Sequence, residues 1–188
     1  MTNILFYPFF IFRLSKLFCY VTALIFGICA FPDLALAMKI TEIAYDRPGS
    51  DSGREWVELF NDSDLPITIN DWQFFDGSWH QIKMDPSTTS TTSGSELLIP
   101  PQNYAILAAD PARFRIDYPN SLAIVFDTAI DITNYQKVQN VPTIVAIKDE
   151  NNTVISEVSL YATLLSKDGH PIQLLNDQWS DGPNIMGS

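Results

Sequence analysis

The sequence predicts an all-β domain, an antiparallel β-sandwich with one short helix, preceded by a signal peptide. Three observations point there. After residue 37 the chain breaks into short runs of alternating apolar and polar residues, bounded by Gly, Pro, Asn, Asp or Ser. Two of the breaks, Asp76-Gly77 and Asp149-Glu150-Asn151-Asn152, have the composition of hairpin turns. Only "DPARFRIDYP" (110–119) carries both start and stop signals of a helix.

Residues 1–37 stand apart. Arg13 and Lys16 precede the apolar run "LFCYVTALIFGICAF", and "ALA" closes the segment. These are the parts of a secretory signal peptide, with cleavage expected after Ala37 and a product outside the cell or on its surface. The run falls short of the ~20 apolar residues of a spanning helix, and "FGIC" is a poor lipoprotein signal because its flanks are bulky. A retained anchor, or a cytosolic chain begun at Met38, are the other two readings. Cleavage leaves 151 of the 188 residues, enough to hold a core unaided. Both cysteines, Cys19 and Cys29, depart with the segment, so the mature chain offers no disulfide, zinc thiolate or cysteine nucleophile. Losing Arg13, Lys16 and Asp33 leaves 9 basic against 21 acidic residues, a balance of −12. Such an acidic protein repels phosphate backbones and anionic lipid, so neither nucleic acid nor a membrane span is expected after cleavage.

Taken in order, "KITEIAYD" (39–46) reads as the first strand and "RPGSDSGR" (47–54) as a loop. "EWVELFND" (55–62) is the second strand. Its parity puts Glu55, Val57, Leu59 and Asn61 on one face, with Trp56, Glu58 and Phe60 on the other. After the turn "DSDLP", "ITINDWQFFDGSWHQI" (67–82) holds two or three short strands, broken at Asn70-Asp71 and Asp76-Gly77. "MDPSTTSTTSGSE" (84–96) has no apolar residue after Met84 and cannot offset its ordering entropy by burial, which predicts a mobile loop. "LLIPPQNYAILAA" gives a strand, a Pro-Pro corner and another strand. In the helix that follows, Asp110 caps, Pro111 suits the first position and Pro119 stops propagation. "SLAIVFD" (121–127) is a strand and "AIDITNYQKVQN" is irregular. Ile144–Lys148 and Val154–Tyr161 form the clearest hairpin, ahead of a last strand at Ile172–Leu175 and Trp179.

Little chemistry is legible. His80 and His170 are the only histidines of the mature chain, and no G-x-S-x-G or H-E-x-x-H motif accompanies them. Calcium would draw on Asp46, Ser50 and Asp51 in one loop, or Asp149, Glu150 and Asn151 in another, though neither matches an EF-hand loop. A carboxylate-based hydrolase would need two acids across a cleft roughly 5–9.5 Å apart. Glu55 and Glu58 lie on opposite faces of one strand and cannot form that pair; Glu42 could approach either. No catalytic, metal or cofactor-binding residue is assigned, and no cofactor is expected.

Three stretches resemble the lamin-tail domain family, in the form found in exported bacterial proteins. The first is "KITEIAYDRPGSDSGREWVELFND", with Glu42 on its first strand and the E-W-V-E-L-x-N pattern at Glu55, Trp56, Val57, Glu58, Leu59 and Asn61. The second is "LPITINDWQFFDG", where Ile69 and Trp72 match an L-x-G-W element and Asp71 stands in place of the usual glycine. The third joins "LLIPPQNYAILAADPARFRIDYP", "IVAIKDENNTVISEVSLY" and a closing strand that departs from the family at Pro171. The resemblance implies an immunoglobulin-like β-sandwich. It implies no enzyme, but a binding or scaffold module. DNA contact, attributed to lamin tails, is opposed by the acidic balance. The expected partner is an extracellular or cell-surface protein or polysaccharide, with a calcium-stabilised adhesin and a hydrolase using Glu42, Glu55 or Glu58 as alternatives.

Overall fold

The alternation of "EWVELFN" survives in the folded chain. Strand β2 (Trp56–Asn61) turns Val57 and Leu59 into the main core and Trp56 to the opposite face. The computed structural model describes residues 38–46, 52–87, 96–132, 142–160 and 169–182. The signal-peptide expectation for 1–37 lies outside the described residues. So do the loop residues 47–51, the Ser/Thr-rich stretch 88–95, the irregular segment 133–141 and Tyr161.

Two sheets face each other, as the sandwich reading requires. The larger has the order β13 (Gln178–Asp181), β12 (Ile172–Leu175), β1 (Met38–Ala44), β2, β8 (Tyr104–Ala108), β9 (Ile124–Asp127), β6 (Lys83–Met84). The smaller runs β11 (Val154–Leu160), β10 (Thr143–Lys148), β4 (Gln73–Phe75), β5 (Trp79–Gln81). A short ribbon of β3 (Ile67–Thr68) and β7 (Leu98–Ile99) is paired apart from both. Ile40, Ile43, Val57, Leu59 and Leu107 from the large sheet meet Phe74, Val145, Ile147 and Val158 from the small one. Burial of these side chains is the main attraction holding the sheets together.

A second, smaller core lies on the outer face of the large sheet. Helix α1 (Pro111–Asp117) packs there, bringing Phe114 and the following Tyr118 against Ala44, Trp56, Ile106, Ala108 and Val125. The helix begins as its sequence specifies: the Asp110 carboxylate accepts the Ala112 and Arg113 N–H groups, and Pro111 occupies the first turn. Phe114 and Tyr118 are four residues apart and so share one face. Both meet the Trp56 indole edge-on, with centroids 6.0 and 5.8 Å away.

Three features differ from the sequence reading. β8 and β9 pair in parallel, with α1 as the crossover between them, so the large sheet is mixed. Met84, placed in a loop by composition, is in β6 opposite Phe126. A further strand, β13, follows the last one expected. It is joined to β12 through Asn176 and Asp177, both at positive φ, and Trp179 on it leans on the main core.

Strand β1 carries a bulge. Ile40 pairs with Leu59 and Glu42 with Glu58, so Thr41 is the extra residue. In an unbroken strand Ile40 and Glu42 would share a face. The bulge separates them, leaving Ile40 and Ile43 in the core and turning Glu42 to the face of Glu58.

The turn at Asn70-Asp71 explains the family's glycine. Asp71 has φ 61°, in the left-handed region that aspartate tolerates and β-branched residues do not. Asp71→Val is expected to lower stability by about 1–2 kcal/mol, whereas Asp71→Gly leaves it near the parent. Thermal melting of the two variants checks this, and equal melting points would refute it.

Candidate functional site

The three acids weighed for chemistry are all buried, and by different routes. Glu55 lies just before β2, where its Oε2 accepts the Ile132 N–H at 3.1 Å. That bond anchors the chain after β9 across the end of the sandwich. Glu58, in the middle of β2, takes the Thr41 hydroxyl on Oε1 at 2.8 Å. Here the bulge has a second effect, since it supplies that donor. Glu42 stands directly opposite Glu58 on β1, and directly opposite Gln173 on β12. It is 2 % exposed and Glu58 is 5 % exposed. Sequence parity correctly kept Glu55 and Glu58 apart. The Glu42–Glu58 pairing needed a register that only the fold supplies.

Electrostatics follow from this burial. Loss of hydration pushes the Glu42 carboxyl up to about 7; a Gln173 hydrogen bond opposes the rise and the neighbouring Glu58 adds to it. Burial also raises Glu58, against the Thr41 hydrogen bond. Two carboxyls side by side favour one proton between them. Yet both are buried, so neither is open to a substrate.

A Ser-His-Asp grouping that the sequence did not reveal sits on the β4–β5 hairpin. His80 Nε2 is 2.8 Å from Ser78 Oγ and 2.9 Å from Asp76 Oδ1. Both partners use the same ring nitrogen. Serine catalysis needs the carboxylate on one nitrogen and the hydroxyl on the other, so that a proton taken from serine is balanced across the ring. This cluster therefore lacks the relay geometry. The second oxygen of Asp76 accepts the Asp131 N–H at 2.7 Å, which ties the hairpin to the chain after β9.

The loop acids weighed for calcium are engaged where they are described. Asp149 Oδ1 accepts the Asn151 and Thr153 N–H groups, and Glu150 Oε2 accepts the Trp72 indole N–H at 3.0 Å. Ser50 and Asp51 lie outside the described residues; the carbonyl of Asp46 accepts the Gly169 N–H. Among the described residues, no group of three or more His, Cys, Asp or Glu is placed to hold a metal ion, and no helix is long and apolar enough to cross a membrane.

Aromatic side chains reach the surface of both sheets. On the small sheet, Phe75 and Trp79 are cross-strand partners with ring centroids 5.0 Å apart, and Trp79 is 38 % exposed. Lys148 places its Nζ 4.2 Å from the Trp79 ring centroid and is itself held by Asn152 Oδ1. On the large sheet, Phe60 and Tyr104 are partners 4.6 Å apart, and Tyr104 is 39 % exposed. The Lys39–Asp62 ion pair borders them, through the residue opposite Phe60. Alternation put Phe60 on the face opposite Val57 and Leu59 but did not mark it as partly exposed; nothing in the sequence marked the Lys148–Trp79 contact.

The family model described as Lamin Tail Domain matches residues 36–162, more than half of the chain. The match ends before β12 and β13. No curated protein matches the chain.

Proposed function

The chain belongs to the lamin tail domain family, and on that premise we propose an exported, non-catalytic binding or scaffold module that recognises protein or polysaccharide at the cell surface or outside it. The observation that carries this reading is where the two kinds of functional side chain reside. The acids that chemistry would require are sealed into the large sheet, whereas aromatic side chains suited to binding stand at the surface. Tryptophan and tyrosine supply contact area at little entropic cost, which suits either a sugar ring or a protein surface. A net charge of −12 after cleavage at Ala37 suits a soluble protein outside the cell.

The test has two parts. Mass analysis of the protein recovered outside the producing cell should give a chain starting at Met38. The purified protein should then bind purified surface proteins or glycans, with Trp79→Ala or Tyr104→Ala weakening binding tenfold or more while melting stays near the parent. Turnover of a glycan or ester by the purified protein would overturn the non-catalytic assignment, and retention inside the cell would overturn export.

A further inference from the structure

Glu42 presents a problem that neither the fold nor the binding proposal uses. Its Oε1 is buried and has no hydrogen-bond partner among the described residues. A charged oxygen in that position lacks both water and a donor, which is strongly unfavourable. Directly opposite stands a second carboxyl, Glu58, also buried. Like charges at directly opposed strand positions repel.

Among the described residues, the groups around the pair supply no counter-charge. On β1, Thr41 gives a hydroxyl to Glu58, while Lys39 is taken by Asp62. Strand β8 faces Glu58 with Ile106, and β12 faces Glu42 with Gln173, whose own partner on β13 is Ser180. Glu157, the titratable residue of β11, stands opposite Ala146, and that strand reaches β1 through Ser156 Oγ at the Ile40 N–H. Charges on α1 are committed elsewhere, Asp117 to Arg54, Arg115 to Asp85 and Arg113 to Asp110. A proton is therefore the simplest partner for the Glu42 oxygen.

We propose that Glu42 and Glu58 hold one proton between them in the folded domain, and that its loss loosens the seam by which β12 and β13 close the large sheet. That seam is short. β1 and β12 share two registered pairs, Glu42 with Gln173 and Ile43 with Ile172, so one of the two involves the titrating residue. β1 and β2, by contrast, share six. Repulsion between two charged carboxyls acts on the weaker contact first.

The direction follows from linkage. A carboxyl raised on folding contributes stability at low pH, which is lost as pH rises from its unfolded value through its folded value of about 7. The folding constant should fall on the order of a hundredfold between about pH 5 and pH 8 through this pair. Asp127 is also raised by burial, so the comparison is made between variants. Denaturant unfolding of the full chain at both values should show a wild type weaker at pH 8, a Glu42→Gln profile that falls much less, and a Glu58→Gln profile intermediate between them, because burial still raises Glu42 there. Amide exchange, corrected for its intrinsic pH dependence, should speed up in Ile172–Leu175 before Tyr104–Ala108 in the wild type alone. An infrared band of a protonated carboxyl should be present at about pH 6 and absent from Glu42→Gln. Wild-type and variant profiles that run parallel would overturn the proposal. So would a wild-type spectrum without that band, which settles the matter even where neither variant folds.

Discussion

Trp56→Ala is expected to destabilise the domain by about 3–5 kcal/mol, a large part of the ~5–15 kcal/mol that folded domains possess. The indole is 2 % exposed and touches both Phe114 and Tyr118, while its N–H donates to the Tyr118 hydroxyl at 2.9 Å. Truncation leaves a cavity beneath α1 and deprives that hydroxyl of its donor. Because the second core is small, nothing else can fill the space. Loss of α1 then exposes the crossover that joins β8 to β9, so the damage spreads to the sheet. Trp56→Phe keeps part of the packing and loses the hydrogen bond, and should fall between the two. Circular-dichroism melts compare all three; Trp56→Ala melting within a few degrees of the parent would refute the account. Trp72→Ala should be similarly severe, since Trp72 is buried in the main core and its N–H holds the β10–β11 turn through Glu150.

Asn61→Asp should be nearly as damaging, although it changes one group. Asn61 is fully buried at the end of β2. Its Nδ2 lies 2.9, 3.1 and 2.9 Å from the carbonyls of Leu65, Ile99 and Pro100, and its Oδ1 accepts the Ser63 N–H and hydroxyl. Two N–H bonds are thus shared among three carbonyls, one in the turn after β2 and two at the end of β7 and just beyond it. Aspartate keeps the Oδ1 contacts but sets a second oxygen against all three carbonyls. Each buried acceptor stripped of its donor costs about 1–3 kcal/mol, so a loss of about 3–5 kcal/mol is expected. Urea titration of the variant checks this. Because the clash eases when the carboxyl is protonated, the loss should shrink at acid pH, a trend that Asn61→Ala should not show.

How much of this was legible in the sequence depended on how local each feature was. The faces of β2 followed from parity alone, because both faces are buried and each side chain had to fit one of them. Asp76-Gly77 and the Asp110-Pro111 helix start were equally plain, since turn and cap chemistry act within four residues. What was hidden depended on register. The Thr41 bulge reverses the faces of β1 midway, and "KITEIAY" contains no glycine or proline to announce it. Glu42 and Glu58 meet only because of that bulge. Nor could the parallel β8–β9 pair be seen, because "ILAADPARFRIDYPNSLAIVF" fits a crossover as well as it fits two antiparallel neighbours. The Asn176-Asp177 hairpin did have a signal, two residues that accept positive φ. It was obscured by the short and polar character of β13.

The neighbours of β1 also bear on the order in which the chain is made. β2 follows β1 after a short loop, whereas Gln173 follows its partner Glu42 by 131 residues. A chain delivered N-terminus first, by a ribosome or through a translocation pore, can pair β1 with β2 early. It must leave the other edge of β1 unpaired until the last hairpin arrives. For that interval β1 presents open backbone groups to any strand nearby, including those of other copies. Ile43 is apolar and Lys39 is the lone basic side chain on that edge, so little in β1 itself discourages a wrong partner. Slow synthesis or stalling before residue 172 should therefore favour aggregation far more than the same delay early in the chain.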